Sequence, residues 1–197
     1  MTLLELAQKR RSCYALTNTI PFTEEQLVSL VQTAVKYAPS AFNSSSSRVL
    51  VLLREKHHAF WRLTQNELQK IIPPEKFTPT AEKLAAFDKA FGTLLFFEDW
   101  TIVENLQNRF PAYKDNFPTW AYQANAMLEY VIWTALAEQK IGASLQHYNP
   151  LVNAAVQREF KVPSTWKLIA QMPFGEVTVP PEEKTFLPLD PRVRVEK

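Results

Sequence analysis

Apolar and polar positions along this chain switch between two periods. Residues 3–9 form a short helical run that leads into Arg10-Arg11. Thr23 and Gln26 have the spacing of a capping box. After them Leu27, Leu30, Val31, Ala34 and Val35 fall on one helical face, and the run stops before Pro39. Residues 48–54 are almost continuously apolar, which predicts a buried strand. A helix is expected over 56–72, ended by Pro73-Pro74, and another over about 80–91. Gly92 then opens a second apolar strand, Thr93 to Phe97. The longest helix is predicted over about 119–140. Met127, Leu128, Val131, Ile132, Ala135 and Leu136 make its apolar face broader than a surface helix needs. Gly142 reads as its left-handed C-cap. Residues 143–147 read as a short strand, and Asn149-Pro150 as N-cap and first residue of a helix ending near Phe160. Trp166 to Met172 completes the strands. From Pro180 onward the chain is proline-rich, charged and irregular, as suits a segment lying across a surface, that of a partner subunit included. Helices with a few interspersed buried strands predict an α+β domain with a small sheet between helices.

Composition narrows the choices. The 197 residues suffice for one domain with a sizeable core, and no linker, repeat or second core is evident. The 13 Phe, 6 Tyr and 5 Trp exceed what such a core requires, pointing to an interface or an aromatic-lined pocket. A net charge of +2 gives no reason to expect nucleic acid or an anionic membrane. Cys13 is the single cysteine, so there is no internal disulfide, which suits a reducing compartment. Met1 to Glu5 lack the features of a secretory signal, and no apolar run reaches spanning length, so the expectation is a cytoplasmic protein without a membrane span. With only Gly92, Gly142 and Gly175, a glycine-rich phosphate loop is excluded. Any phosphate must be held by side-chain cations and hydroxyls.

Four segments carry candidate chemistry. Arg10, Arg11 and Ser12 offer two planar guanidinium forks and a hydroxyl, a phosphate clamp; taken alone, they equally suit the last turn of a short helix. Ser40, Ala41, Phe42, Asn43 and Ser45 belong to a polar loop, Pro39 to Ser47, with hydrogen-bonding side chains and one aromatic ring. Ala143, Ser144, Leu145 and Gln146 precede a predicted helix N-terminus, where backbone N–H groups are free. Lys184, Arg192 and Arg194 are cations in the C-terminal tail, equally readable as a solvated end. Cys13 reads as a packing residue. His57 and His58 fall on a helix expected to be exposed, His147 reads as structural, and no spacing suggests a metal site. No Ser-His-Asp set or carboxylate pair stands out.

Three of these segments, in this order and spacing, resemble the nitroreductase family: Arg10-Arg11-Ser12, Pro39-Ser40-Ala41-Phe42-Asn43-Ser44 and Gly142 to Pro150. The middle one is similar to the fungal and bacterial subgroup that carries this loop. The resemblance implies a nitroreductase-like fold, an intertwined homodimer with two FMN sites at the subunit interface, and a tail (about 180–197) packed on the partner. It further implies FMN-dependent oxidoreduction with NADH or NADPH as reductant. A nitroaromatic, quinone or similar electron-poor small molecule would be reduced in a ping-pong sequence, with the flavin carrying the chemistry. By the same resemblance Arg10, Arg11 and Ser12 hold the phosphate and ribityl chain, the 40–45 loop meets the ring edge, and a backbone N–H after Gly142 faces flavin N5. Ser45 stands where the family has glutamine. Phe186 stands where a second tail cation is expected after Lys184, leaving Arg192 and Arg194 as alternatives. A flavin-binding regulator without turnover and a flavin-free interaction protein are the competing readings.

Overall fold

The computed structural model describes residues 1–188, 190 and 192–197. Its helices are α1 (Leu3–Lys9), α2 (Glu24–Tyr37), α3 (Arg54–Gln69), α4 (Thr78–Asp88), α5 (Trp100–Arg109), α6 (Phe117–Glu138) and α7 (Asn153–Phe160). Its strands are β1 (Ser47–Leu53), β2 (Gly92–Asp99), β3 (Ile141–Ala143) and β4 (Trp166–Glu176). They form one antiparallel sheet in the order β1-β2-β4-β3.

The sheet is buried on both faces, which is why β2 reads as an unbroken apolar run. Leu94 and Phe96 point into a core shared with Leu27 and Val31 of α2 and Leu128, Ile132 and Leu136 of α6. Leu95 and Phe97, on the opposite face, meet Phe60 and Trp61 of α3, Leu84 and Phe87 of α4, and Val156 of α7. Three layers result, as the two-sided burial requires. The predicted α+β class, with a small central sheet flanked by helices, is the observed architecture.

Local signals were read correctly where they are local. Thr23 and Gln26 form the predicted capping box, and Thr2 with Glu5 forms another at α1. Four expectations are corrected. Gly142 is not a left-handed cap: it lies inside β3, and the left-handed residue is Lys140, with φ of 63°. A Cβ at Gly142 would stand 2.8 Å from Cys13 Cβ and 2.9 Å from Leu16 Cδ2, so glycine is needed there for close approach. Asn149-Pro150 does not start a helix; its peptide bond is cis, and α7 begins at Asn153. The strand expected over 143–147 is β3, ending at Ala143, with a single bridge beyond it from Gln146 to Gln171. His57 is fully buried on α3 and is not on an exposed face. Helix α5 has no counterpart in the sequence reading. The tail has no helix or strand among its described residues, and Leu189 and Pro191, which also fall in it, lie outside them.

Candidate active site

The N-terminal candidates come together with the tail. Capped α1 delivers Arg10, Arg11 and Ser12 to the edge of β3, where Ser12 bridges Ala143 and the Cys13 N–H donates to the Ala143 carbonyl at 2.9 Å. Arg11 donates to the Glu182 carbonyl, tying down the start of the tail. Arg10, Arg11, Ser12, Tyr14, Glu182 and Lys184 are among the residues around a hollow of about 640 Å³. Lys184 joins the cluster as expected; Arg192 and Arg194 do not line it, and Arg194 pairs with Glu196 at 2.6 Å. Burial pushes the Cys13 thiol above its ordinary value, consistent with a packing role.

The Arg10 guanidinium lies 4.2 Å from the centre of the Trp133 ring on α6. Arg10 Nε and Trp133 Nε1 are both buried and, among the described residues, neither has an acceptor. Such groups are costly to leave unpaired. Two arginines, a lysine and a serine hydroxyl around one hollow are the donor set that an anionic phosphate group takes, with Glu182 and Glu183 on the same rim. The residues present therefore fit the phosphate end of FMN. Trp133 was missed by the sequence reading, since a tryptophan on an apolar helix looks like core.

The 40–45 loop lies elsewhere. Ala41 to Asn43 make a tight turn with Phe42 and Asn43 at positive φ, 55° and 51°. The Ser45 N–H donates to Ser40 Oγ at 3.0 Å, which holds the loop's shape. Phe42 packs against Phe110, Phe117 and Trp120, with ring centres 4.8, 5.4 and 6.3 Å away. Ser40 and Ser45 open onto an apolar hollow of about 660 Å³ between α2, β1 and α6. Phe42 rests on Trp120 and Arg10 on Trp133, at opposite ends of α6. At the usual helical rise those two tryptophans are about 20 Å apart along the axis. One chain thus gathers the cationic cluster and Ala143 to Gln146, but not the 40–45 loop.

Segment 144–149 is fastened to β4. Ser144 and Gln146 donate backbone N–H groups to Pro173 and Gln171 carbonyls, at 3.3 and 2.7 Å. The buried Gln171 side chain accepts the Tyr148 N–H at 2.7 Å and donates to Asn149 Oδ1 at 3.2 Å. Gln171 was also missed, although a lone amide in the run Leu168 to Met172 is a visible signal. His147 is exposed on this segment.

Two further buried polar groups lie off this segment. His57 Nδ1 meets Thr93 Oγ1 at 2.8 Å and Nε2 meets the Asp88 carbonyl at 3.1 Å. His57, His58 and Asp88 offer ligand atoms within 4.8 Å of one another, yet both His57 nitrogens are engaged, which leaves no lone pair for a metal. On α6, Asn125 donates to Glu98 Oε1 at 2.8 Å, and Glu129 is buried nearby. Burial, reinforced by the Glu98 carboxylate, pushes Glu129 up to about 7.

The nitroreductase family model matches residues 7–176. The chain belongs to the nitroreductase family. HBN1 of Saccharomyces cerevisiae is 36% identical over 193 residues, covering 96% of this chain and 95% of that one. The nitroreductase CinD from Lactococcus lactis, solved with chloramphenicol, superposes with a TM-score of 0.91 at 40% identity over 100% of both chains. A nitroreductase from Desulfitobacterium hafniense with bound FMN shares the fold, with a TM-score of 0.72 at 17% identity over 98% of this chain and 97% of that one. The nitroreductase fold expected from the three motifs is thus the fold observed, in a family of oxidoreductases.

Proposed function

We propose that this nitroreductase-family protein is an FMN-dependent NAD(P)H oxidoreductase, working as a homodimer on electron-poor small molecules. The observation that carries the reading is the gathering of Arg10, Arg11, Ser12 and Lys184 around one hollow, whose rim also carries Glu182 and Glu183. Arg10, Arg11, Ser12 and Lys184 hold the phosphate; guanidinium forks match its oxygens in pairs. Ala143 to Gln146 lie along the same edge and face the ring. Ser40, Ala41, Phe42, Asn43 and Ser45 come from the second copy, because one chain keeps them about 20 Å away along α6. Bound FMN would supply the redox chemistry, two-electron transfer from NADH or NADPH to a nitroaromatic, quinone or similar acceptor in two half-reactions. The cations and N–H donors around the site favour the negative charge that accompanies reduction. The small-molecule reading gains support from CinD, whose solved complexes hold chloramphenicol and 4-nitrophenol. No helix of the described residues is long and apolar enough to cross a membrane.

The visible absorption spectrum of the purified protein tests this reading, recorded before and after anaerobic NADH or NADPH. Flavin bands that bleach with either nucleotide are expected. Bands that persist with both would favour a flavin-binding regulator, and a colourless protein that takes up no added FMN would overturn the reading.

A further inference from the structure

β3 ends at Ala143, yet the chain stays on the edge of β4 as far as Asn149. Gln146 and Gln171 exchange both backbone hydrogen bonds, at 2.7 and 2.9 Å. The ladder then continues through a side chain: Gln171 Oε1 takes the Tyr148 N–H at 2.7 Å, and its Nε2 reaches Asn149 Oδ1 at 3.2 Å. The side-chain amide does what one more peptide unit of β4 would do. The N–H groups of residues 144, 146 and 148 are thereby all turned toward β4. Those of Leu145 and His147 find no acceptor among the described residues, and extended backbone turns them the opposite way. That is the edge on which the Ala143 carbonyl takes the Cys13 N–H, directly after the clamp residues Arg10 to Ser12. Leu145 is half-buried, so its N–H calls for an acceptor, and the N–H of exposed His147 opens on the same edge.

We propose that Gln171 is a positioning residue for the cofactor: by holding Tyr148 and Asn149 to β4, it aims the Leu145 and His147 N–H groups at the electron-rich edge of the bound flavin ring. The inference rests on the flavin reading above and adds to it a residue that never touches the ring. Gln171 is fully buried, so its role is exerted through the 145–149 backbone. Donors held at fixed positions stabilise negative charge on the ring better than donors on a loose loop. Gln171 therefore sets both how tightly the ring is held and how readily it is reduced.

The test uses the full-length protein and three variants. Gln171→Met keeps the volume and removes both side-chain bonds. Gln171→Glu keeps an acceptor for Tyr148 but loses the donor to Asn149. Asn149→Ala removes one bond at a half-buried position and leaves the core intact. Amide exchange in the flavin-free chain is expected to be slow at Gln146 and Tyr148 and fast at Leu145 and His147. In Gln171→Met, Tyr148 exchange and the FMN dissociation constant should each rise by about tenfold, the effect of about one hydrogen bond. The flavin midpoint potential should become more negative. Gln171→Glu should fall between Met and wild type, and Asn149→Ala should shift affinity and potential in the same direction as Met. Wild-type Tyr148 exchange in Gln171→Met would overturn the inference. So would fast Tyr148 exchange with unchanged FMN affinity and potential, or, where the Met variant fails to fold, wild-type affinity and potential in Asn149→Ala. Failure of the flavin reading looks different: the wild-type chain itself takes up no FMN.

Discussion

Arg10 stacks its guanidinium on Trp133 and, with Arg11, lines the cationic hollow. Arg10→Ala or Arg11→Ala removes charge-assisted bonds worth about 1.5–3 kcal/mol, which lowers FMN affinity roughly ten- to a hundredfold. Equilibrium titration with FMN measures this, and wild-type affinity in both variants would dismiss the clamp. Two buried titratable groups make a second prediction. Glu129 is raised from 4.5 to about 7, so the folded state holds a proton that the unfolded state gives up, and stability falls as pH rises from about 4.5 to 7. His57 is lowered by burial from 6.5 to about 4, so the unfolded state binds the extra proton and stability is lost as pH falls from about 6.5 to 4. The two slopes oppose each other, each on the order of 3 kcal/mol in all. Glu129→Gln removes the falling slope. Urea unfolding should then show a clear rise in stability from pH 5 to pH 7, whereas an unchanged profile would mean that Glu129 titrates normally.

Among the elements, β3 and its neighbours decide whether the proposed clamp meets the edge proposed to face the flavin. Gly142 lets the Cys13 to Leu16 segment lie directly on β3. Gly142→Ala overpacks that contact and should cost about 1–3 kcal/mol in thermal or chemical unfolding, together with weaker FMN retention. Wild-type stability in this variant would show that the segment yields freely. The same glycine shows where sequence reading stops. Its position after a long helix is indistinguishable from a C-cap, and its actual reason is close contact with Val177 and with Cys13 and Leu16, the last two more than a hundred positions away. Strand β2 was legible because burial on both faces leaves a continuous apolar run. Helix α2 was legible because its capping box and apolar stripe are local. Helix α5 was not: it follows β2 with no glycine or proline between, and Val103 is its one fully buried residue. His57 looked exposed because its neighbours on α3 are polar, while its partner Thr93 lies across the layer boundary on β2. Of the candidate site, the arginine pair, Ser12 and Lys184 stand out by residue type and gather around one hollow, whereas the 143–146 segment stands out only by its resemblance to the family, since no helix starts at Asn149-Pro150. Trp133 looks like core until packing sets it under Arg10, and Gln171 shows as a lone amide in an apolar run whose partners, Tyr148 and Asn149, only the fold supplies.

The whole molecule is organised around α6. One side of this helix gives Leu128, Ile132 and Leu136 to the core, while Met127, Tyr130 and Val131, on another side, remain about 40% exposed. This second apolar stripe accounts for the breadth of the helix's hydrophobic face, and it lies between the cationic cluster and the 40–45 loop. In the proposed homodimer, an isologous two-fold contact along it would bring the loop of one copy toward the clamp of the other, completing a site that neither copy makes alone. Light scattering should accordingly give twice the chain mass. The sharpest measurement is complementation between two inactive chains. Arg11→Ala disables the clamp and Asn43→Ala the loop, so each homodimer should bind FMN poorly and reduce a nitroaromatic slowly with NADH or NADPH. Mixed and re-associated in equal amounts, the two form heterodimers in which one site has both changes and the other has neither. A site shared between two copies predicts that mixing restores roughly a quarter of the wild-type FMN sites, with turnover to match. Mixtures no better than the separate variants would contradict it, and so would an Arg11→Ala or Asn43→Ala homodimer that already binds FMN like wild type.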